Sequence, residues 1–479
     1  MPYTEFTCRA GGSNLNAGTF SGSGEEGVNP LLVFDSGRFI AIGRTYLTPA
    51  ASGDPRTLGI QTGCFVSMYS TVAPTETGLY FGRVISMTAS SVLIHHLHCA
   101  GLQANVPTGA TATSMRVGGA WAGPTGNIYF PFNLTSGAQL RNVNNSPMRI
   151  NFKNDKTYQM YVGIVANVIG PVTYQGYNST FGDYGRATIL GPTASGNFHM
   201  VAMGGAQQYI TDFNIYNNGS AGTANYILLG PMVAERVLVS GSRGNGIGST
   251  TNPITCIECV AIDCNTTNTA SQGGFLTTVN GSNFIRCVAI RNNRYGWYAT
   301  RSITMMNCIS YRNTEAGCGI LAGAASNYVF KNCDFFLNRT DGIKNLTTAN
   351  GTHFHVESCR FIDNSGAAVN FSGVVFGQQL NMYNCYIGSG VFGNLHGFSS
   401  PQTGFFNANI VGLTYYPLDY SPWVDASGGN FTSVSAICRD AGYSNYPTGL
   451  TSMFTGTMSY DSVGAGKLKS NILSRRGEI

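Results

Sequence analysis

Ile257-Glu258-Cys259-Val260-Ala261-Ile262 and Ile285-Arg286-Cys287-Val288-Ala289-Ile290 are near copies of one hexapeptide, 28 residues apart. The hexapeptide returns as Met306-Asn307-Cys308-Ile309-Ser310-Tyr311, Lys331-Asn332-Cys333-Asp334-Phe335-Phe336, Glu357-Ser358-Cys359-Arg360-Phe361-Ile362 and Tyr383-Asn384-Cys385-Tyr386-Ile387-Gly388. These later intervals are 21, 25, 26 and 26 residues. Self-similarity at this period marks a repeat architecture in which each copy is one supersecondary unit. Without the cysteine, the register runs back to Arg236 in Glu235-Arg236-Val237-Leu238-Val239 and to Asp212 in Thr211-Asp212-Phe213-Asn214-Ile215.

Other positions keep the same beat. Three residues before each ladder residue stand Tyr209, Val233, Cys256, Phe284, Met305, Phe330, Val356 and Met382, an apolar column that reads as inward. Five residues after stand Asn217, Asn292, Asn313, Asn338 and Asn364, with Gly241, Cys264 and Gly390 as exceptions. Nine after come Gly296, Gly317 and Gly342. Glycine and β-branched residues are poor helix formers. Val, Ile, Phe, Tyr and Thr suit strands, and Asn and Gly tolerate the left-handed backbone of sharp bends. Each repeat therefore reads as two or three short strands separated by Asn and Gly turns. Stacking the repeats lines identical side chains into ladders, with amides bonding along the stack.

This pattern resembles the right-handed parallel β-helix family, which includes pectate-lyase-like enzymes, phage tailspikes and secreted repeat proteins. The resemblance covers residues 150–445, and the handedness comes from it rather than from the spacing. Gly170-Pro171-Val172-Thr173-Tyr174-Gln175-Gly176-Tyr177 with Gly182-Asp183-Tyr184-Gly185-Arg186-Ala187 looks like a first rung of such proteins. Ser421-Pro422-Trp423-Val424-Asp425 through Cys438-Arg439-Asp440 looks like their closing module. The fold expected is all-β: a parallel β-helix with a small N-terminal β domain and a C-terminal cap.

By composition, residues 1–30 read as an extended arm. Residues 31–118 read as a small β-barrel or sandwich made of short strand patterns such as Cys64-Phe65-Val66-Ser67-Met68-Tyr69. Residues 119–165 read as a linker and solenoid cap, 166–396 as the parallel β-helix, and 397–479 as the last rungs, a cap and a basic tail. The caps cover strand edges that an open solenoid end would expose. The tail carries Lys467, Lys469, Arg475 and Arg476.

Charged residues are 10% of the chain and the net charge is +5, against a usual charged share of about a quarter. A low-charge surface of Asn, Ser, Thr and Gly suits an extracellular or virion body and not a nucleic-acid binder. No apolar stretch reaches the ~20 residues of a membrane helix, so no membrane insertion is expected. The start, Met1-Pro2-Tyr3-Thr4-Glu5-Phe6, has neither the charged nor the apolar region of a Sec signal. The 13 cysteines fall on the repeat register, where a small thiol packs well. Side chains stacked in parallel oppose the ~90° torsion of a disulfide, so free buried thiols are expected.

The search for chemistry gives candidates without a motif that selects one. Arg339-Thr340-Asp341-Gly342 resembles the Asn-Thr-Asp-Gly of polygalacturonase-like members at Thr340, Asp341 and Gly342 only; the remaining motifs are absent, and a turn Asp before Gly is common. Glu357, Asp334 and Asp363 lie on consecutive rungs with His353 and His355 nearby. Asp341, Glu357 and Asp363 are thus the carboxylates available for acid/base work. Glu235 and Glu258 precede the ladder residue on adjacent rungs, followed there by Arg286. His95-His96-Leu97-His98 puts only His96 and His98 on one strand face, and no partner set follows, so no metal is assigned. Neither a Walker loop nor a dinucleotide fingerprint is present, and no cofactor is expected. For a bound glycan, Trp297, Tyr298 and Tyr311 are the aromatic contacts expected, with an inward-packed Trp297 as the competing reading.

Three positions after the ladder residue stand Ile215, Val239, Ile262, Ile290, Tyr311, Phe336 and Ile362, while position two is also mostly apolar. A regular strand buries only one of two successive positions. Either a partner covers one column, which points to a homotrimer, or the chain bends between them. The leading functional expectation is a structural or binding protein of a virion: a bacteriophage tailspike, tail fibre or head-decoration component. It would contact other virion proteins through its N-terminal region or C-terminal tail, and host-surface polysaccharide through its body. The alternatives are a polysaccharide lyase or glycoside hydrolase on the same scaffold, and a bacterial surface β-helix protein. The missing motifs point away from catalysis.

Overall fold

The computed structural model describes residues 4–13, most of 32–121 and most of 148–387. Beyond them it describes the strands Asn407–Val411, Thr414–Tyr415, Trp423–Asp425 and Asn430–Ser433. Among the described residues every regular element is a strand except one 3-10 turn, Pro55–Leu58. The chain divides into two units, Met1–Thr223 and Ala224–Ile479.

In the first unit, strand Thr4–Cys8 pairs in parallel with Met148–Lys153, Thr4 beside Met148 and Cys8 beside Phe152. Met148–Lys153 in turn pairs in parallel with Val172–Tyr177, and the first half of Gln208–Tyr216 stacks on that strand. The second half of Gln208–Tyr216 stacks on Ala187–Leu190. Residues 4–8 are therefore the first layer of a parallel stack and not part of a free arm, and stacking starts before residue 166. Phe6 explains the docking: its ring stacks on Trp121 at 4.9 Å and meets Phe65 edge-on at 5.4 Å. Between these two visits to the stack the chain builds an eight-stranded antiparallel sheet from residues 32–117. The strand Val92–Gly101 carrying His95, His96 and His98 lies in that sheet, with a bulge opposite Phe81/Gly82; those imidazoles are outside the described side chains.

In the second unit each turn contributes three strands. The first strands include Thr255–Ile257, Ser282–Ile285, Ile303–Met306, Asn327–Lys331, His353–Glu357 and Gln379–Tyr383. The second strands run from Val260–Ile262 to Tyr386–Ile387, and the third from Asn245–Ser249 to Val369–Asn370. Each pairs in parallel and in register with its equivalent one turn on. The stack continues past residue 396, since Asn407–Val411 pairs with Gln379–Tyr383.

One left-handed residue makes the corner between first and second strands. Arg236, Glu258, Arg286, Asn307, Asn332, Ser358 and Asn384 hold it, at φ 52, 53, 54, 55, 50, 53 and 51°. This corrects the sequence register on one turn. Ala234 pairs with Cys256 and Leu238 with Val260, so Val237, not Arg236, stands in the cysteine column. In the first unit Asp212 (φ 64°) is likewise the left-handed residue, and the buried residue that follows it is Phe213. At Arg236 and Asp212 the sequence resemblance alone aligns the left-handed corner residue with the buried residue of the column. The same shift removes the Glu235/Glu258 stack: Glu235 lies beside Ile257 and pairs with Arg236. Glu258 forms a buried ion pair with Arg286 at 2.6 Å.

The column Cys259, Cys287, Cys308, Cys333, Cys359, Cys385 is buried, and these thiols are free. Each sulfur sits 3.3–3.5 Å from the carbonyl two residues back in its own turn. It also lies 3.2–3.6 Å from a carbonyl of the turn before. The thiol thus fills a small space and has acceptors for its weak S–H within each layer. The asparagine column forms the expected ladder: Asn292 Nδ2 donates to Asn313, Asn313 to Asn338 and Asn338 to Asn364, at 3.0, 2.9 and 2.9 Å. Gly317 stands where layers approach closely. A Cβ there would meet Phe335 Cδ1 at 2.5 Å and the Gly342 carbonyl oxygen at 2.6 Å.

The apolar column offered for a partner is buried within the single chain. Ile262, Ile290, Tyr311, Phe336 and Ile362 are all buried, as are Ala261, Ala289, Ser310, Phe335 and Phe361 beside them. A second left-handed residue follows at Asp263, Arg291, Arg312 and Leu337. The chain bends there, and rings such as Tyr311 and Phe336 stack at 5.3 Å. The bend reading holds, and this column does not supply an assembly surface.

Candidate functional site on the outward face of the late turns

Strand alternation turns every second side chain of the first strands outward. On the three strands Asn327–Lys331, His353–Glu357 and Gln379–Tyr383, the inward residues are Tyr328, Phe330, Phe354, Val356, Leu380 and Met382, all buried. The outward ones form a grid by register. Asn327, His353 and Gln379 make one row; Val329, His355 and Asn381 a second; Lys331, Glu357 and Tyr383 a third.

Glu357 is the middle residue of the third row. Its Oε2 lies 3.0 Å from Lys331 Nζ and 3.2 Å from His355 Nε2. Burial pushes its carboxyl up, but the hydrogen bonds from Lys331 and His355 outweigh that and hold it below the usual carboxylate range. His355 faces the Tyr383 ring at 5.5 Å. His353 Nδ1 shares a hydrogen bond of 3.0 Å with Gln379 Oε1, and Gln379 Nε2 donates to Asn381 at 3.4 Å. The result is a sheet of donors and acceptors, interrupted at Val329, with one ionised carboxylate held between Lys331 and His355. Below these turns the third row reads Glu235, Ile257, Ile285, Met306 and the second Thr255, Asn283, Thr304, so what sets the late turns apart is the third row, where Lys331, Glu357 and Tyr383 follow three apolar residues.

The family model described as right handed beta helix region matches residues 199–355. The chain is a right-handed parallel β-helix repeat protein. No curated protein matches the sequence. Among solved structures, the β-helix is similar to the catalytic unit of a thermostable GH87 α-1,3-glucanase from Streptomyces thermodiastaticus strain HF3-3. The identity is 9% and the TM-score 0.32, over 82% of this chain and 89% of that one. At that score the likeness bears on neither substrate nor chemistry.

The β-helix places the other sequence candidates away from this grid. Asp341 is a buried turn residue: Oδ1 accepts the Ala367 N–H at 2.8 Å and Oδ2 the Asn370 amide at 3.2 Å. Asp334 does not approach Glu357; both of its oxygens face Arg360, from Nε and Nη2 at 2.5 Å. Asp363 lies outside the described residues. The three aromatics expected to face a glycan are buried. Trp297 is 1% exposed and stacks on Phe275 at 5.0 Å. Tyr298 packs against Tyr295 at 5.3 Å, and Tyr311 lies under Arg312 and on Phe336. Their faces serve the core, and the inward reading of Trp297 is the one observed. Lys331, Gln379, Asn381 and Tyr383 escaped the sequence reading. Counting back two, four and six residues from Cys333, Cys359 and Cys385 would have found the whole grid.

Proposed function

We propose that this chain is a structural and binding protein of a virion, of the tailspike, tail fibre or head-decoration kind, and that it contacts host-surface glycan through the polar face of its late turns. The observation that carries this reading is the grid itself. It sets His353, His355, Gln379, Asn381, Tyr383, Lys331 and Glu357 on a rigid parallel sheet, on strands ~4.8 Å apart. Sugar hydroxyls need donors and acceptors at fixed spacing, and side chains already held by neighbours lose little freedom on binding. A body with 10% charged residues and stacked amide and thiol ladders suits a durable particle component. Self-association into homotrimers, and attachment through the N-terminal region or C-terminal tail, belong to the same proposal.

Glycan-array screening of the purified chain tests the contact, with His355→Ala/Asn381→Ala as the control variant. Binding that disappears in the variant, at an unchanged melting temperature, supports the reading. Binding that persists places the contact elsewhere. New reducing ends or unsaturated products that vanish in Glu357→Gln would replace a binding role by an enzymatic one. Immunogold labelling of purified particles and light scattering of the chain test virion location and trimer.

A further inference from the structure

The turn that joins second to third strands carries a different surface. This turn and the strand it leads into carry Arg243 on one layer, Asp263 without a cation on the next, then Arg291 and Arg294, then Arg312, then Arg339 and Lys344. The acids there are few. Asp263 accepts both Nε and Nη2 of Arg291 at 2.9 Å. Glu315 is shared by Arg294 at 3.4 Å, Lys344 at 2.9 Å and the Tyr295 hydroxyl at 3.0 Å. Asp341 is buried and bonded to Ala367 and Asn370. Arg312 and Arg339 are exposed and make no ion pair among the described residues. The Arg312 guanidinium lies over the Tyr311 ring at 5.1 Å, which braces it.

The pair with Asp263 accounts for Arg291, and no acid accounts for Arg312 among the described residues. Arg291 and Arg312 occupy one left-handed column, at φ 51 and 53°, where Asn or Gly costs less. Backbone bonding places them on adjacent layers, since the Arg291 N–H reaches the Tyr311 carbonyl, and stacked like charges repel. The same column holds Asp263 on one side and Leu337 on the other, and Arg339 stands two residues beyond Leu337, on the layer after Arg312.

We infer that this ridge binds an anionic polysaccharide, with Arg312 and Arg339 as its principal contacts. Planar guanidinium groups suit carboxylates, and layers spaced ~4.8 Å apart let successive arginines meet successive acidic groups of an extended polymer. The ridge uses none of the outward grid residues and takes from the proposed function only the choice of a glycan.

The test is calorimetric titration of the full chain with oligomannuronate and with a β-1,4-mannan oligomer of equal length. The acidic oligomer is expected to bind, more weakly as salt rises, and the neutral one not to bind. Arg312→Gln/Arg339→Gln is expected to lose about tenfold or more in affinity at an unchanged melting temperature, while His355→Ala/Asn381→Ala retains it. Loss in the His355/Asn381 variant alone would overturn the ridge and return binding to the grid. Equal binding of the neutral oligomer, equally tight binding of duplex DNA, no binding of oligomannuronate, or unchanged affinity in the arginine variant would each overturn it as well.

Discussion

Arg360→Met should be among the most damaging single substitutions in this chain. Arg360 and Asp334 sit on adjacent layers, both with fully buried side chains, and meet through two parallel bonds of 2.5 Å. Removing the guanidinium leaves a carboxylate with no exposure in the solenoid wall. Breaking a buried pair in this way costs about 3–5 kcal/mol, because the desolvated charge loses its compensation. The double variant Asp334→Leu/Arg360→Met removes both charges and keeps the volume, and such replacements are often neutral or stabilising. Urea denaturation of wild type, both single variants and the double variant closes the cycle. The single variants are expected to be destabilised by several kcal/mol and the double variant to recover most of that. A cost below about 1 kcal/mol for Arg360→Met would mean a solvated pair and would refute the buried assignment.

Asn313→Ala removes one amide from the middle of a buried ladder and leaves the Asn292 backbone N–H without its acceptor; a loss of about 1–3 kcal/mol in chemical denaturation is expected. Gly317→Ala drives a methyl against Phe335 and the Gly342 carbonyl, which should lower stability by about 1–3 kcal/mol, visible as an earlier thermal transition. Burial pushes up the thiols of Cys287, Cys308 and Cys359, and that of Cys385 to about 12, so iodoacetamide should label them only in denaturant; rapid labelling of the native chain would contradict the column. Glu357, held below the usual range by Lys331 and His355, takes up its proton less readily folded than unfolded. Its stabilisation is complete above the ordinary glutamate value of about 4.3 and drains away as pH falls through the lowered folded value. The melting temperatures of wild type and Glu357→Gln should therefore differ most near neutrality and converge in acid.

The hexapeptide made the solenoid legible because one buried thiol per turn is a strong local signal. The asparagine and glycine columns were legible for a related reason: each position tolerates few residue types. The register slipped at Arg236 because an alignment of strings cannot see φ. What defines that position is a left-handed corner, which Arg, Glu, Asn and Ser all fill here. The docking of Thr4–Cys8 was hidden for another reason. Its partner strand begins at Met148, and nothing within five residues announces so distant a pairing. The aromatics were misassigned because exposure was read from size and side-chain type, whereas Trp297 and Tyr298 belong to a third strand, Tyr295–Ala299, that is buried along its whole length.

The outward grid stands two, four and six residues before each cysteine, but its residues do not repeat from turn to turn as the inward column does. In a stacked fold the two faces carry different information. Inward residues repeat because each layer packs on the next, and a change there disturbs its neighbours on both sides. Outward residues are released from that constraint. A merely solvated face would show scattered Lys, Glu, Thr and Ser without mutual bonding. The third row instead passes from Ile257, Ile285 and Met306 to Lys331, Glu357 and Tyr383, while the buried residues beside them stay apolar. In the same layers the side chains bond to one another across strands. There the buried second-strand column also changes, from Val260, Val288 and Ile309 to Asp334 and Arg360; that pair is satisfied inside the wall, whereas Lys331 and His355 stay partly open to solvent, where a surface partner can use them.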